Sequence, residues 1–144
     1  MKILILNSGS SSIKYQLMRM PDNEVICSGM IDRIGLESSN VTYKTKDVSF
    51  EETASILTHK IGLERVANLL LNDEIGVIKA TSEIDAVGHR IVHGGSLFSD
   101  TTIITAEVKN KVKTYSNETF FLKNQLETLF TINNNTGTLL KGEL

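Results

Sequence analysis

A chain of 144 residues is long enough for one domain around a single core and too short for two. Its formal net charge of −2, with 22% charged residues, gives no general attraction to nucleic acid or an anionic membrane, so any anion it binds must be held by local groups. A lone cysteine, Cys27, excludes an internal disulfide and a cysteine-based metal site; no apolar run is long enough to span a bilayer, and "MKILIL" is too short for a signal-peptide core, so a cytoplasmic protein with a buried, inert thiol is expected.

Lys2 to Leu6 is a short apolar run with a β-branched bias, the pattern of a strand buried on both faces. Ile13, Tyr15 and Leu17 alternate with Lys14, Gln16 and Met18, which predicts a second strand joined to the first by a tight turn at "NSGSS". Pro21-Asp22-Asn23 marks another turn, and Val25 to Ile34 and Val41 to Thr45 read as further strands of an antiparallel sheet. From Glu52 to Asn72 the period changes: Leu57, Ile61, Ala67 and Leu70, with Ile56, Leu63, Val66 and Leu71 beside them, form a wide helical stripe. Gly62 weakens that helix by about 1 kcal/mol relative to alanine.

Ile84 to Val92, "IDAVGHRIV", returns to a strand-like run that His93-Gly94-Gly95 breaks. Thr105 can cap a helix from Ala106 to Tyr115, with Glu107 favourably placed in its first turn. Leu122, Leu126, Leu129 and Phe130 keep the spacing of an amphipathic helix, whereas "TINNNTGTLLKGEL" is polar, Asn-rich and expected to fray. There is no internal repeat. The order of elements predicts an α/β fold: a mixed sheet that begins with antiparallel strands, with helices packed on it.

Two stretches carry chemistry. In "ILNSGSSSIK", successive backbone N–H groups at a turn can form a nest for an anion, and hydroxyls add donors at short range. Gly9 is expected to supply positive φ and close approach of a phosphate to the main chain, Ser10 and Ser12 to point the same way, and Lys14 to add charge. A plain polar hairpin is the alternative, because Asn, Ser and Gly dominate turns anyway. The stretch is neither a Walker A loop nor a G-x-G-x-x-G fingerprint.

In "VGHRIVHGG", an arginine within an apolar strand needs an anionic partner, and its planar fork suits a carboxylate or phosphate. Arg90 is therefore a candidate anion clamp, or else one half of an internal salt bridge. His89 and His93 are four apart, as metal ligands on a helix can be, but the segment reads as strand and lacks the Glu of H-E-x-x-H.

Together these stretches resemble the acetate kinase family, within the actin-like and sugar-kinase-like ATPase superfamily. "NSGSSSIKYQL" is similar to its N-terminal signature and "AVGHRIVHGG" to its second block, with "IGVIKATSEIDAVGHR" echoing the residues that lead into that block. The resemblance implies a ribonuclease H-like (actin-like ATPase) N-terminal domain, incomplete here, and ATP-dependent phosphoryl transfer to acetate that gives acetyl phosphate and ADP with Mg2+. It implies nucleotide-binding roles for Asn7, Ser10, Ser12 and Lys14, with Asn7 also at the metal; Arg90 would meet the acetate carboxylate or the transferring phosphoryl group, and Val92 the acetate methyl.

A propionate or butyrate kinase relative, or a non-catalytic phosphate-binding remnant, are the alternatives. A homodimer is implied for the family. The resemblance covers roughly residues 1–113, and residues 114–144 are set apart as a divergent tail, since "KTYSNETFFLKNQLETLF" stands where the family resembles a Leu-Ala-Pro-Leu-His-Asn-Pro pattern. The chain is thus expected to be an N-terminal portion, inactive as a kinase by itself.

Overall fold

A computed structural model describes residues 1–91, 102–116 and 138–142. Strands β1 (Lys2–Ser8), β2 (Ile13–Arg19), β3 (Glu24–Asp32), β4 (Ser39–Thr45) and β5 (Ser49–Ala54) form an antiparallel meander, followed by helix α1 (His59–Leu70) and a short 3-10 turn at Thr81–Glu83. After it come β6 (Ala86–Ile91), β7 (Thr102–Ile103), helix α2 (Ala106–Ser116) and β8 (Thr138–Gly142). They make one eight-stranded sheet in the order β5-β4-β3-β2-β1-β6-β8-β7. β6 runs parallel to β1, and β8 parallel to β6. The mixed α/β sheet opening with antiparallel strands is therefore the architecture found.

Alternation decides which side of this sheet is core. Leu4, Leu6 and Ser8 of β1 share a face with Ile13, Tyr15 and Leu17 of β2, with Ile31 and Cys27 of β3, and with Val41 and Tyr43 of β4. All of these are buried, and all but Ser8 pack in one cluster with Leu63, Val66, Leu69 and Leu70 of α1. The opposite face carries Ile5, Asn7, Lys14, Gln16 and Met30, and Ile5 is 41% exposed. This corrects the expectation of a β1 buried on both faces: Leu4 and Leu6 are buried toward α1, Ile5 on the other face is exposed, and an apolar run cannot say whether a second layer exists.

Two glycines let the layers close. Gly29 lies in register between Tyr15 and Tyr43, and a Cβ there would fall 2.3 Å from the Tyr15 hydroxyl. That hydroxyl donates to the Thr42 carbonyl at 3.0 Å. A Cβ on Gly62 of α1 would stand 2.9 Å from Ile13 Cδ1, so the residue that lowers helix propensity is the one that seats the helix on β2.

α1 begins later than the periodicity predicts. Thr58 caps it by accepting from the Ile61 amide at 3.2 Å, while Glu52, expected within the helix, lies in β5. β5 escaped notice because an edge strand with one partner tolerates the polar sequence "SFEETA". The Thr105 cap is present, its Oγ1 accepting from the Val108 amide at 3.2 Å, and α2 spans the residues expected. Thr138–Gly142, within the stretch expected to fray, forms β8 on the open edge of β6, where unpaired backbone groups replace any need for apolar patterning. The amphipathic helix expected around Leu122 to Phe130 lies outside the described residues.

Candidate anion-binding site

The β1–β2 hairpin closes with Ser8 opposite Ile13 and the Gly9 amide donating to the Ser12 carbonyl at 2.8 Å. Two sequence expectations change here. Gly9 does not take up positive φ; among the described residues Asn23, Arg33 and Gly35 do. Its amide is used by the hairpin and so adds nothing to a nest, and its value is room, since a Cβ would sit 3.0 Å from Ser12 Oγ. Ser10 and Ser12 lie in the bend rather than on a strand, so two-residue alternation does not align their side chains.

Main-chain direction does align their amides. The Ser11 carbonyl accepts from the Ile34 amide at 2.8 Å, and the Gly9 carbonyl lies 2.8 Å from His59 Nε2. Ile34 and α1 are both on the covered side of the sheet, as their contact across Gly62 shows. In a trans peptide the C=O and the following N–H point in opposite directions, so the amides of Ser10 and Ser12 are turned away from that side. Ser10 and Ser11 are exposed and Ser12 half-buried. The bend is open.

Sheet register supplies the charges. Asn7 on β1 is the Cα partner of Lys14 on β2 and of Arg90 on β6, so the three form one row across adjacent strands on the open face. With strands spaced about 4.8 Å apart, the two cationic residues flank the amide from either side. Lys14 and Arg90 are exposed, and neither forms an ion pair with another described residue. The internal salt bridge considered for Arg90 is therefore not made among the described residues.

A depression of about 410 Å³ beside the row is lined by Asn7, Lys14, Gln16, Ser28 and Met30, over a floor that includes Ile5. Arg90 stands one strand beyond it, and Ser10 and Ser12 at the end of the hairpin, so the hollow gathers two of the candidate residues and the row adds a third. Val92 lies outside the described residues, as do His93, Gly94 and Gly95. His89 is buried on the covered face, in register with Leu6.

Among the described residues no group of three or more His, Cys, Asp or Glu side chains could hold a metal ion. No described helix is long and apolar enough to cross a membrane. His59 was missed in the sequence because its partner is 50 residues away and nothing in the periodicity of α1 distinguishes it.

The comparisons with known proteins bear on family and fold. The family model described as the acetokinase family matches residues 2–129, running past Lys113. Over 116 residues, 81% of this chain, the sequence is 72% identical to an acetate kinase of Flavobacterium johnsoniae and 41% identical to one of Thermotoga petrophila. In each case the chain spans 29% of the relative's length. A crystal structure of Porphyromonas gingivalis acetate kinase superposes with a TM-score of 0.89 at 33% identity, over 98% of this chain and 37% of that one. A propionate kinase structure from Francisella tularensis, at TM-score 0.83 and 24% identity, shares the fold. With the serine bend and the Asn7–Arg90 row lying inside the matched span, this chain belongs to the acetokinase family.

Proposed function

We propose that the chain forms the phosphate-gripping wall of an acetate kinase, which transfers the γ-phosphoryl group of ATP to acetate. In that reaction a carboxylate oxygen of acetate attacks the γ-phosphorus, the bond to the β–γ bridging oxygen breaks, and acetyl phosphate and ADP result. The substrate is its own nucleophile, so the protein's task is to position the reactants and to neutralise charge on the equatorial oxygens. The observation that carries the reading is the row Lys14–Asn7–Arg90, whose two cationic residues are exposed and form no ion pair with another described residue, beside outward-turned amides.

In this reading Asn7, Ser10, Ser12 and Lys14 hold the nucleotide phosphates, and Arg90 faces the acetate carboxylate or the transferring phosphoryl group. Val92 is the residue that the family resemblance assigns to the acetate methyl. The donor set fits a Mg2+ that arrives on the nucleotide, because that ion keeps several waters and is usually held by few protein oxygens plus substrate phosphates. Asn7 would be its contact, and its role is to neutralise phosphate charge. The buried Cys27 thiol suits a cytoplasmic setting. A homodimer belongs to the same proposal.

Mg-ATP binding is expected of these 144 residues by themselves, and phosphoryl transfer to acetate is measured separately. Titration calorimetry with Mg-ATP, beside a coupled assay with acetate, tests both parts. A wild-type chain that takes up no nucleotide at millimolar concentration overturns the phosphate-wall assignment.

A further inference from the structure

The structure assigns His59 as a positioning residue for the serine bend, and the assignment rests on the reading of that bend as a phosphate site. His59 is the first residue of α1, is only 3% exposed, and places Nε2 2.8 Å from the Gly9 carbonyl oxygen. A carbonyl cannot donate, so Nε2 carries the proton. Holding the Gly9 carbonyl toward α1 fixes the Gly9–Ser10 peptide plane and so turns the Ser10 amide the opposite way.

The neighbouring hold is made by main chain. The Ile34 amide fixes the Ser11 carbonyl, and the segment bearing Ile34 is tied in turn to the approach to α1, where the Gly35 amide donates to the Ile56 carbonyl at 2.8 Å, and to β4, where Ser39 Oγ donates to the Arg33 carbonyl at 3.0 Å. The bend, the turn after β3 and the start of α1 are thus one hydrogen-bonded unit, in which His59 contributes a side chain that reaches the bend. Donors preset toward an anion need no reorganisation when it binds. Without the imidazole the Gly9 carbonyl loses its buried partner, and the Gly9–Ser10 peptide loses that restraint on its orientation.

The test uses the whole chain with two substitutions. His59→Phe keeps a buried ring and removes the donor, whereas His59→Gln restores an N–H. In His59→Phe, backbone order parameters of Ser10–Ser12 are expected to fall from about 0.85 to below about 0.6 while α1 and sheet resonances stay in place. Mg-ATP affinity is expected to drop about tenfold, and His59→Gln to recover most of both losses.

A folded His59→Phe with an unchanged bend overturns the assignment, whether or not nucleotide binds. A loosened bend in a chain whose wild type binds no Mg-ATP upholds the positioning role and rejects the phosphate-site reading instead. Imidazole 15N shifts of the wild-type chain at pH 8 probe the same hydrogen bond without any substitution: a protonated Nε2 is expected, and a bare Nε2 overturns the proposal.

Discussion

Asn7 of β1 is the register partner of Arg90 of β6, across a parallel pairing that joins residues far apart in the chain. The same asparagine is paired with Lys14 across the hairpin, so one amide sits between two cationic residues on the uncovered face. The proposed anion site would thus come from strand order: β1 is central, its hairpin partner brings the lysine, and the crossover strand brings the arginine.

Lys14 and Arg90 should separate binding from stability. Both are exposed, so Lys14→Ala and Arg90→Ala should each change folding stability by less than about 0.5 kcal/mol. A charge-assisted hydrogen bond contributes about 1.5–3 kcal/mol, so Lys14→Ala should weaken Mg-ATP binding roughly 10- to 100-fold. Arg90→Ala should instead weaken acetyl phosphate. Calorimetry with each ligand, alongside thermal melts, checks this; equal loss of both ligands together with a lowered Tm would mark the residues as structural.

Gly29→Ala should be severely destabilising. The new methyl would lie 2.2 Å from the Thr42 carbonyl oxygen and 2.4 Å from Tyr15 Cζ, and the backbone there cannot yield as a flexible side chain could. Overpacking of this kind costs about 1–3 kcal/mol or more, which in a domain of this size lowers Tm by several degrees. Gly29→Ala combined with Tyr15→Ala should lose less than the sum of the two single losses, and a calorimetric double-mutant cycle measures the difference.

Cys27 should resist alkylation in the native chain. It is 1% exposed, and burial pushes its thiol up to about 11, although a backbone hydrogen bond from Leu17 acts against that. At pH 8 iodoacetamide should label it only after unfolding, a result that mass spectrometry reads directly. Rapid labelling of the folded protein would contradict the packing described.

Glu83 should give the chain a pH-dependent tie. Hydrogen bonding from the Lys2 ammonium, then from the Lys79 amide, holds its carboxyl down to about 2 from an ordinary 4.5. A depressed carboxylate stabilises the fold fully above its unfolded pKa, and that contribution is lost as pH falls from about 4.5 through about 2. The two side chains remain 25% and 36% exposed, so the tie is modest and weakened by salt. Tm measured across that window should fall less steeply for Lys2→Met than for wild type, and 1 M NaCl should narrow the gap between them.

Much of the fold was legible because its signals are local. Alternation marked β2, turn chemistry marked the bend and Pro21-Asp22-Asn23, and Thr105 announced α2. β5 and β8 were not legible, since their partners supply the backbone hydrogen bonds and their own sequences need little apolar pattern.

By itself, then, the sequence determined which residue types stand at each end of the candidate site, through the hydroxyl-rich bend and an arginine in an apolar run. Only the tertiary structure decided that Asn7, Lys14 and Arg90 share a row and a face, because register between distant strands is a property of the assembled sheet. It likewise decided that His59 and Ile34 orient the bend, since hydrogen bonds spanning long stretches of chain leave no periodic trace in the residues that make them.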